Sequence, residues 1–361
     1  MLCLTGDVMT GRGVDQILPA AGDPQLWERN AASARDYVAL AEAASGTIPE
    51  PVNWSWPWGD ALGVLDELAP DLRIVNLETS ITSSDDFQPA KAVLYRMHPG
   101  NVGCLSAARL DACTLANNHV LDFGVSGLEE TLDVLTRAGL GPVGAGCDER
   151  QAWHPVVLTA GGQRVLVWSV GSASSGVPHG WAAGPECPGV AFLSEHSDAD
   201  ADAICERVRR VKQPGDIAIV SIHWGSNWGY HVPRAQVRFA HRLIDSGVDV
   251  VHGHSSHHPR PIEVYGDRLV LYGCGDLIND YEGIAGQEWF RGDLRLLYLA
   301  RLGPAGQLDE LRMVPLQSRR MRLRLATGPD ARWLGQVLRK ASSGFGSRVD
   351  LAPDASLRLF R

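Results

Sequence analysis

Short apolar runs alternate with amphipathic stretches and glycine turns along most of the chain. Met1–Thr5, Leu72–Asn76 (LRIVN) and Ala112–Ala116 (ACTLA) are apolar runs that each end at a polar cluster, the pattern of buried strands in α/β proteins. Further strands are predicted at His154–Thr159, Arg164–Val170, Ile217–Ile222 and Val248–His252. Leu128, Leu132 and Leu135 are spaced by four and three, which predicts a helix over Val125–Ala138 stopped by Gly139. Val237, Ala240, Leu243 and Ile244 form one face of a second helix, Arg234–Asp245, ended by Gly247. Pro261–Tyr265 and Leu269–Tyr272 read as a hairpin around Gly266-Asp267. Residues 20–60 and 172–196, rich in Pro, Gly, Ser and Trp, read as long loops. Beyond about Arg291 the pattern gives two more strands, a helix near Asp330–Ser342 and a short tail. The alternation predicts an α/β sandwich.

Composition narrows the function classes. The 361 residues are 45% hydrophobic and 21% charged, which is globular composition. A formal charge of −9 argues against nucleic acid or an anionic membrane as the main partner. There is no apolar run long enough for a transmembrane helix. The start, MLCLTGDVMTGR, reads as a buried strand rather than a signal peptide, so a cytoplasmic protein is expected. Seven cysteines with no CxxC read as free thiols.

The chemistry lies where the strands end, which is where open α/β sheets place their ligands. Five polar clusters follow predicted strands: Gly6-Asp7, Asn76-Leu77-Glu78, Asn117-Asn118-His119 with Asp122, His223-Trp224-Gly225, and Gly253-His254-Ser255-Ser256-His257-His258. Carboxylate, amide and imidazole donors together suit a divalent ion rather than a thiolate zinc site. Glu78 is available to bridge two such ions.

The blocks GDVMTGR, NLETSIT, LANNHVLDFG, SIHWGSNW, LIDSGVDVVHGH and LYGCGD, in that order, resemble the CapA family of poly-γ-glutamate synthesis proteins within the calcineurin-like metallophosphoesterase superfamily. The resemblance implies a four-layer sandwich of two mixed β-sheets flanked by helices. Residues 1–290 would form the catalytic domain, and residues 291–361 would extend it with strands and a helix. It further implies one or two divalent ions (Mn, Fe, Zn, Mg or Ca). Asp7 and His257 would hold the first, and Asn118, His223 and His254 the second, with Glu78 bridging. His119 matches the superfamily's catalytic histidine, and Asp122 would orient it. Two positions depart from the superfamily: Met9 stands where a metal-binding histidine is usual, and Glu78 where the bridge is usually Asp. The first ion position is therefore expected to be poor in ligands.

Arg12 and Arg96 are candidates for binding a substrate carboxylate. Asp276, Asn279, Asp280 and Glu282 follow the last strand of the site, and Asp276 is a candidate for its lining. Trp54, Trp56, Trp58, Trp224 and Trp228 are candidates for an apolar wall against a peptide. The tryptophan-rich loops are similar to the branch of the family that epimerises the C-terminal tryptophan of lasso peptides. That similarity implies metal-assisted inversion at Cα of a peptide substrate. Hydrolysis of a phosphoester or a peptide or polyglutamate amide stands as the alternative, and a non-catalytic partner in polymer synthesis as the third reading.

Overall fold

A computed structural model of the chain describes residues 1–29, 31–89 and 91–360. Two mixed β-sheets face each other. In the first, Leu2–Val8, Leu72–Leu77, Ala112–Thr114 and Gly141–Val143 run parallel in that order. On its other side Leu2–Val8 pairs antiparallel with Leu294–Leu302, which pairs antiparallel with Leu308–Ser318. In the second, Gln163–Ser172, Ile217–His223, Val250–His254 and Arg268–Leu271 run parallel. Ile262–Tyr265 closes that edge as an antiparallel hairpin. Its turn needs positive φ at both central positions, and Gly266 (φ 52°) and Asp267 (φ 62°) supply it.

Three apolar cores separate four layers. Leu2, Leu4, Ile74 and Ala112 of the first sheet meet Val165, Val167, Ile219 and Val250 of the second between the sheets. Side chains alternate across a strand, so Cys3, Val75 and Cys113 point the other way, against Leu128, Leu132 and Leu135 of the helix Gly124–Arg137. Leu166, Trp168 and Val220 likewise pack outward on Phe239, Ala240 and Leu243 of the helix Arg234–Asp245. Both faces of each sheet are thus covered, which is why the central strands are apolar almost throughout. This is the expected α/β sandwich of two mixed sheets flanked by helices.

Two expectations are corrected. Residues 20–60 are not all loop: Arg35–Ser45 is a helix that buries Tyr37, Val38 and Ala41. Beyond Arg291 the described residues form five strands rather than two, the additional ones being Leu323–Leu325, Arg348–Leu351 and Leu357–Phe360, and the helix is Gly328–Ser342. No helix among the described residues is long and apolar enough to cross a membrane.

Candidate metal centre

The site forms where strands of both sheets reach their C-terminal ends. His223 and His254 are the last residues of two parallel strands and are register partners. Asp7 sits near the end of Leu2–Val8, between Asn76 and Asp276 in its two parallel neighbours. The apolar runs end before the strands do. The hydrogen-bond ladder carries on through Asp7, His223 and His254, so the ligand-type residues lie on rigid strand backbone.

Six of the sequence-predicted residues come together with Asp276. Oxygen and nitrogen atoms of Asp7, His223 and His254 lie within 4.8 Å of one another, and so do those of Asp7, His257 and Asp276. His223 Nε2 is 3.8 Å from Glu78 Oε1 and 3.0 Å from Asn118 Oδ1. The group around Asp7 and His257, expected to be poor in ligands because of Met9, gains a carboxylate from Asp276. Met9 itself is fully buried.

The surrounding hydrogen bonds fix these side chains. Asn76 Nδ2 donates to Asp7 Oδ1 at 2.7 Å, and the Ser255 amide donates to Asp7 Oδ2 at 3.2 Å. Ser221 Oγ lies 2.9 Å from His254 Nε2 and leaves its Nδ1 facing His223 Nδ1 at 2.9 Å. His257 Nδ1 is 2.9 Å from Asp276 Oδ1.

Burial, and then the neighbouring Asp276 charge, lift the Asp7 carboxyl to about 7. Burial and Asp7 push Glu78 well above the usual carboxylate range. Burial drives His223 and His254 well below the ordinary imidazole value. Burial also pulls on His257, but the facing Asp276 carboxylate outweighs it and raises that imidazole.

These residues fit a divalent ion. Glu78 Oε2 is buried without a hydrogen-bond partner, and such an orphaned acceptor is costly. Two neutral imidazoles turn nitrogen toward nitrogen, and three carboxylates crowd one buried volume. A bound cation would relieve all three.

His119 stands beside this group. Its Nδ1 is 2.6 Å from Asp122 Oδ2, and its Nε2 is 3.8 Å from Glu78 Oε1. Burial lowers it to about 4 despite Asp122, and Lys91 adds to the lowering. Lys91, which is not among the candidates the sequence offers, joins it. Its Nζ pairs with Asp122, donates to the Asn118 carbonyl and lies 3.3 Å from His119 Nδ1. No motif or periodicity marks it in the loop that carries it.

The remaining candidates lie elsewhere or are already engaged. Arg12, expected to bind a substrate carboxylate, is buried and fully paired with Asp280 and Glu28. Arg96 is held by the Ser84 carbonyl and Asp85. Trp224 is a core residue whose Nε1 donates to the Tyr272 carbonyl, and the ring of Trp54 covers Gly103. Trp56 and Trp58 donate to the carbonyls of Arg320 and Cys104. The apolar wall expected from these four is packing of loops on the body. Trp228 differs: it stacks on His258, lies tilted against His257 and Phe290, and lines a cavity of about 710 Å³ that has His257 and Asp276 in its wall.

Comparison with known proteins gives the family. Residues 1–281 match the model for the bacterial capsule synthesis protein PGA_cap. A Mycobacterium tuberculosis protein, named a probable polyglutamine synthesis accessory protein, is 53% identical over 99% of this chain and 94% of its own. The PGA biosynthesis protein CapA of Bacillus subtilis is 27% identical over 62% of this chain and 55% of its own. Among solved structures, the NAD nucleotidase of Haemophilus influenzae covers 74% of this chain and 48% of its own, with a TM-score of 0.36 and 13% identity.

Proposed function

The chain belongs to the bacterial capsule synthesis protein PGA_cap family, and on that premise we propose that it is a metal-dependent hydrolase of amide bonds in a glutamyl polymer or peptide. The observation that carries this reading is that Asp7 belongs to both groups of potential ligands. Asp7, His257 and Asp276 would hold one ion, and Asp7, His223, His254 and Asn118 the other, with Glu78 between them. Ions bound there would supply Lewis acidity to the scissile carbonyl and lower the pKa of the attacking water.

The side chains supply the proton handling. Asp122 accepts from His119 Nδ1 and so leaves Nε2 directed at the centre. At neutral pH that imidazole is uncharged. It is therefore able to take a proton from water as the carbonyl is attacked and to pass it to the leaving nitrogen as the C–N bond breaks. Lys91 holds Asp122 from its other oxygen and keeps the pair in place. The names of the two relatives, which speak of polyglutamine synthesis and PGA biosynthesis, support a polyamide substrate.

Epimerisation at Cα uses an acid and a base on opposite faces of the carbon. Lys91 lies against the same His119–Asp122 pair rather than across from it, and Trp54 and Trp224 do not line the cavity. Hydrolysis is therefore the reading this geometry supports better. The test is to incubate the Mn²⁺-loaded protein with oligo-γ-glutamate, α-glutamyl peptides and tryptophan-terminated peptides in H₂¹⁸O and in D₂O. Shortened chains with ¹⁸O in each new carboxylate are expected. Deuterium at an inverted Cα in an intact chain would replace hydrolysis with epimerisation. No change in any substrate would leave the non-catalytic partner in polymer synthesis.

A further inference from the structure

We propose that Arg295 is a positioning residue for the candidate metal centre, holding Asp276 in place through Asn279. The inference rests on the metal-centre reading above. Arg295 lies on Leu294–Leu302, the antiparallel partner of the strand that carries Asp7. It is 1% exposed, and among the described residues it forms no ion pair. A buried guanidinium without a carboxylate against it is expensive, so its hydrogen bonds need a reason.

Those bonds run toward the site. One nitrogen donates to the Gly292 and Leu294 carbonyls. A second donates to Asn279 Oδ1 at 2.9 Å, and the third, Nε, is buried without a partner. Arginine has donors only, so the atom of Asn279 that faces it must be the amide oxygen. That fixes the flip of the amide and turns its NH₂ to Asp276 Oδ2, at 2.6 Å. Asp276 Oδ1 is then left for His257, at 2.9 Å, and for the ion group that both share with Asp7. Without the guanidinium, the Asn279 oxygen keeps only the Tyr281 amide, at 3.2 Å, so the hold on its orientation toward Asp276 is weakened.

The family match ends at residue 281. The residue that sets Asp276 thus comes from the segment in which the sequence shows no motif. Outer residues that orient metal ligands commonly change affinity by about 10–100-fold when removed.

The experiment is calorimetric titration of the full chain with Mn²⁺, with melting of the metal-free proteins as the check on folding. Two ions are expected to bind the wild-type chain. Arg295→Met should weaken one of them by about 10–100-fold and leave the other unchanged. Asn279→Leu should do the same. The double variant should be no worse than either single variant, because both act through one chain of contacts. If the Met variant fails to fold, Arg295→Gln, which keeps one donor, takes its place, with a smaller loss at the same ion. A folded Arg295 variant with both affinities intact, or an equal loss at both ions, would overturn the inference. Additive losses in the double variant would do so as well. A wild-type chain that binds no Mn²⁺ would overturn it together with the metal-centre reading. Two bound ions with no amide cleavage would overturn the hydrolase reading alone.

Discussion

Asp7 and Asp276 are register partners on two parallel strands, so two buried carboxylates stand side by side at the end of the first sheet. Without a cation between them they repel, and burial together with Asp276 raises Asp7 to about 7 from an ordinary 3.8. The native state then holds a proton that the unfolded chain has released. The contribution of Asp7 to stability therefore falls as pH rises from about 4 to 7, because at this group the native state binds more protons, while the depressed imidazoles of His119, His223 and His254 act in the opposite direction. Glu78, raised for the same reasons, acts in the same direction as Asp7. Melting of chelator-treated proteins should show this fall as a difference: Asp7→Asn should gain stability relative to the wild-type chain as pH rises through the window. Divalent ions should restore stability more at the alkaline end, where Asp7 is free to ligate; saturation at about 100 times Kd adds roughly 2.7 kcal/mol. A difference between the two proteins that stays constant across the window would contradict this charge arrangement.

His119 lies outside both potential ligand groups but within 3.8 Å of Glu78. His119→Ala should therefore leave the metal content unchanged while turnover falls by about 10²–10⁴-fold. His254→Ala, which removes a ligand-type nitrogen, should lose metal and activity together. Elemental analysis beside a cleavage assay separates the two. Metal loss in His119→Ala would place that residue among the ligands instead.

Much of this architecture is legible in the sequence where packing and side-chain polarity agree. The helix Arg234–Asp245 has the predicted bounds because its apolar face and its closing glycine coincide with the ends of packing. The strands ending at His223 and His254 run past their predicted ends of Ile222 and His252. Backbone pairing is indifferent to side-chain polarity, and two buried polar residues look like loop. The helix Arg35–Ser45 is hidden because its buried side, Tyr37, Val38 and Ala41, is too narrow to mark a stripe. Asp276 stands among four acidic or amide candidates in the sequence, and only its register with Asp7 singles it out. Lys91 and Arg295 act through contacts made across more than one element, which no local spacing records.

The thiols offer an independent check of the cores. Cys3 and Cys113 point outward from the first sheet into the helical layer, and burial pushes both to about 12. Cys104, Cys205 and Cys274 are also buried, whereas Cys147 and Cys187 are exposed. A thiol reagent should modify two of the seven groups quickly in the native protein and all seven in denaturant, since only accessible thiolate reacts. Mass spectrometry should locate the two at Cys147 and Cys187. Rapid native labelling of Cys3 or Cys113 would contradict the four-layer packing.

Gly6 precedes Asp7 and lets two backbones approach more closely than any side chain allows. A Cβ built there would lie 1.6 Å from the Gly275 carbonyl oxygen, the same oxygen that accepts from the Asp7 amide at 3.0 Å. Gly6→Ala must therefore push the segment before Asp276 away from the strand of Asp7 and part the two carboxylates. Overpacking of this kind costs about 1–3 kcal/mol or more. Here the backbone that moves also carries potential ligands, so the variant should lose divalent-ion binding in addition to stability. Gly63→Ala is the matched control: it lies in the helix Asp60–Leu68 with nothing within 4 Å of the added methyl, and should stabilise by about 0.5–1 kcal/mol. Denaturant unfolding with and without Mn²⁺ reads both effects. A Gly6→Ala protein that keeps its stability and its full ion affinity would show that the close approach of Gly6 and Gly275 does not set the distance between Asp7 and Asp276.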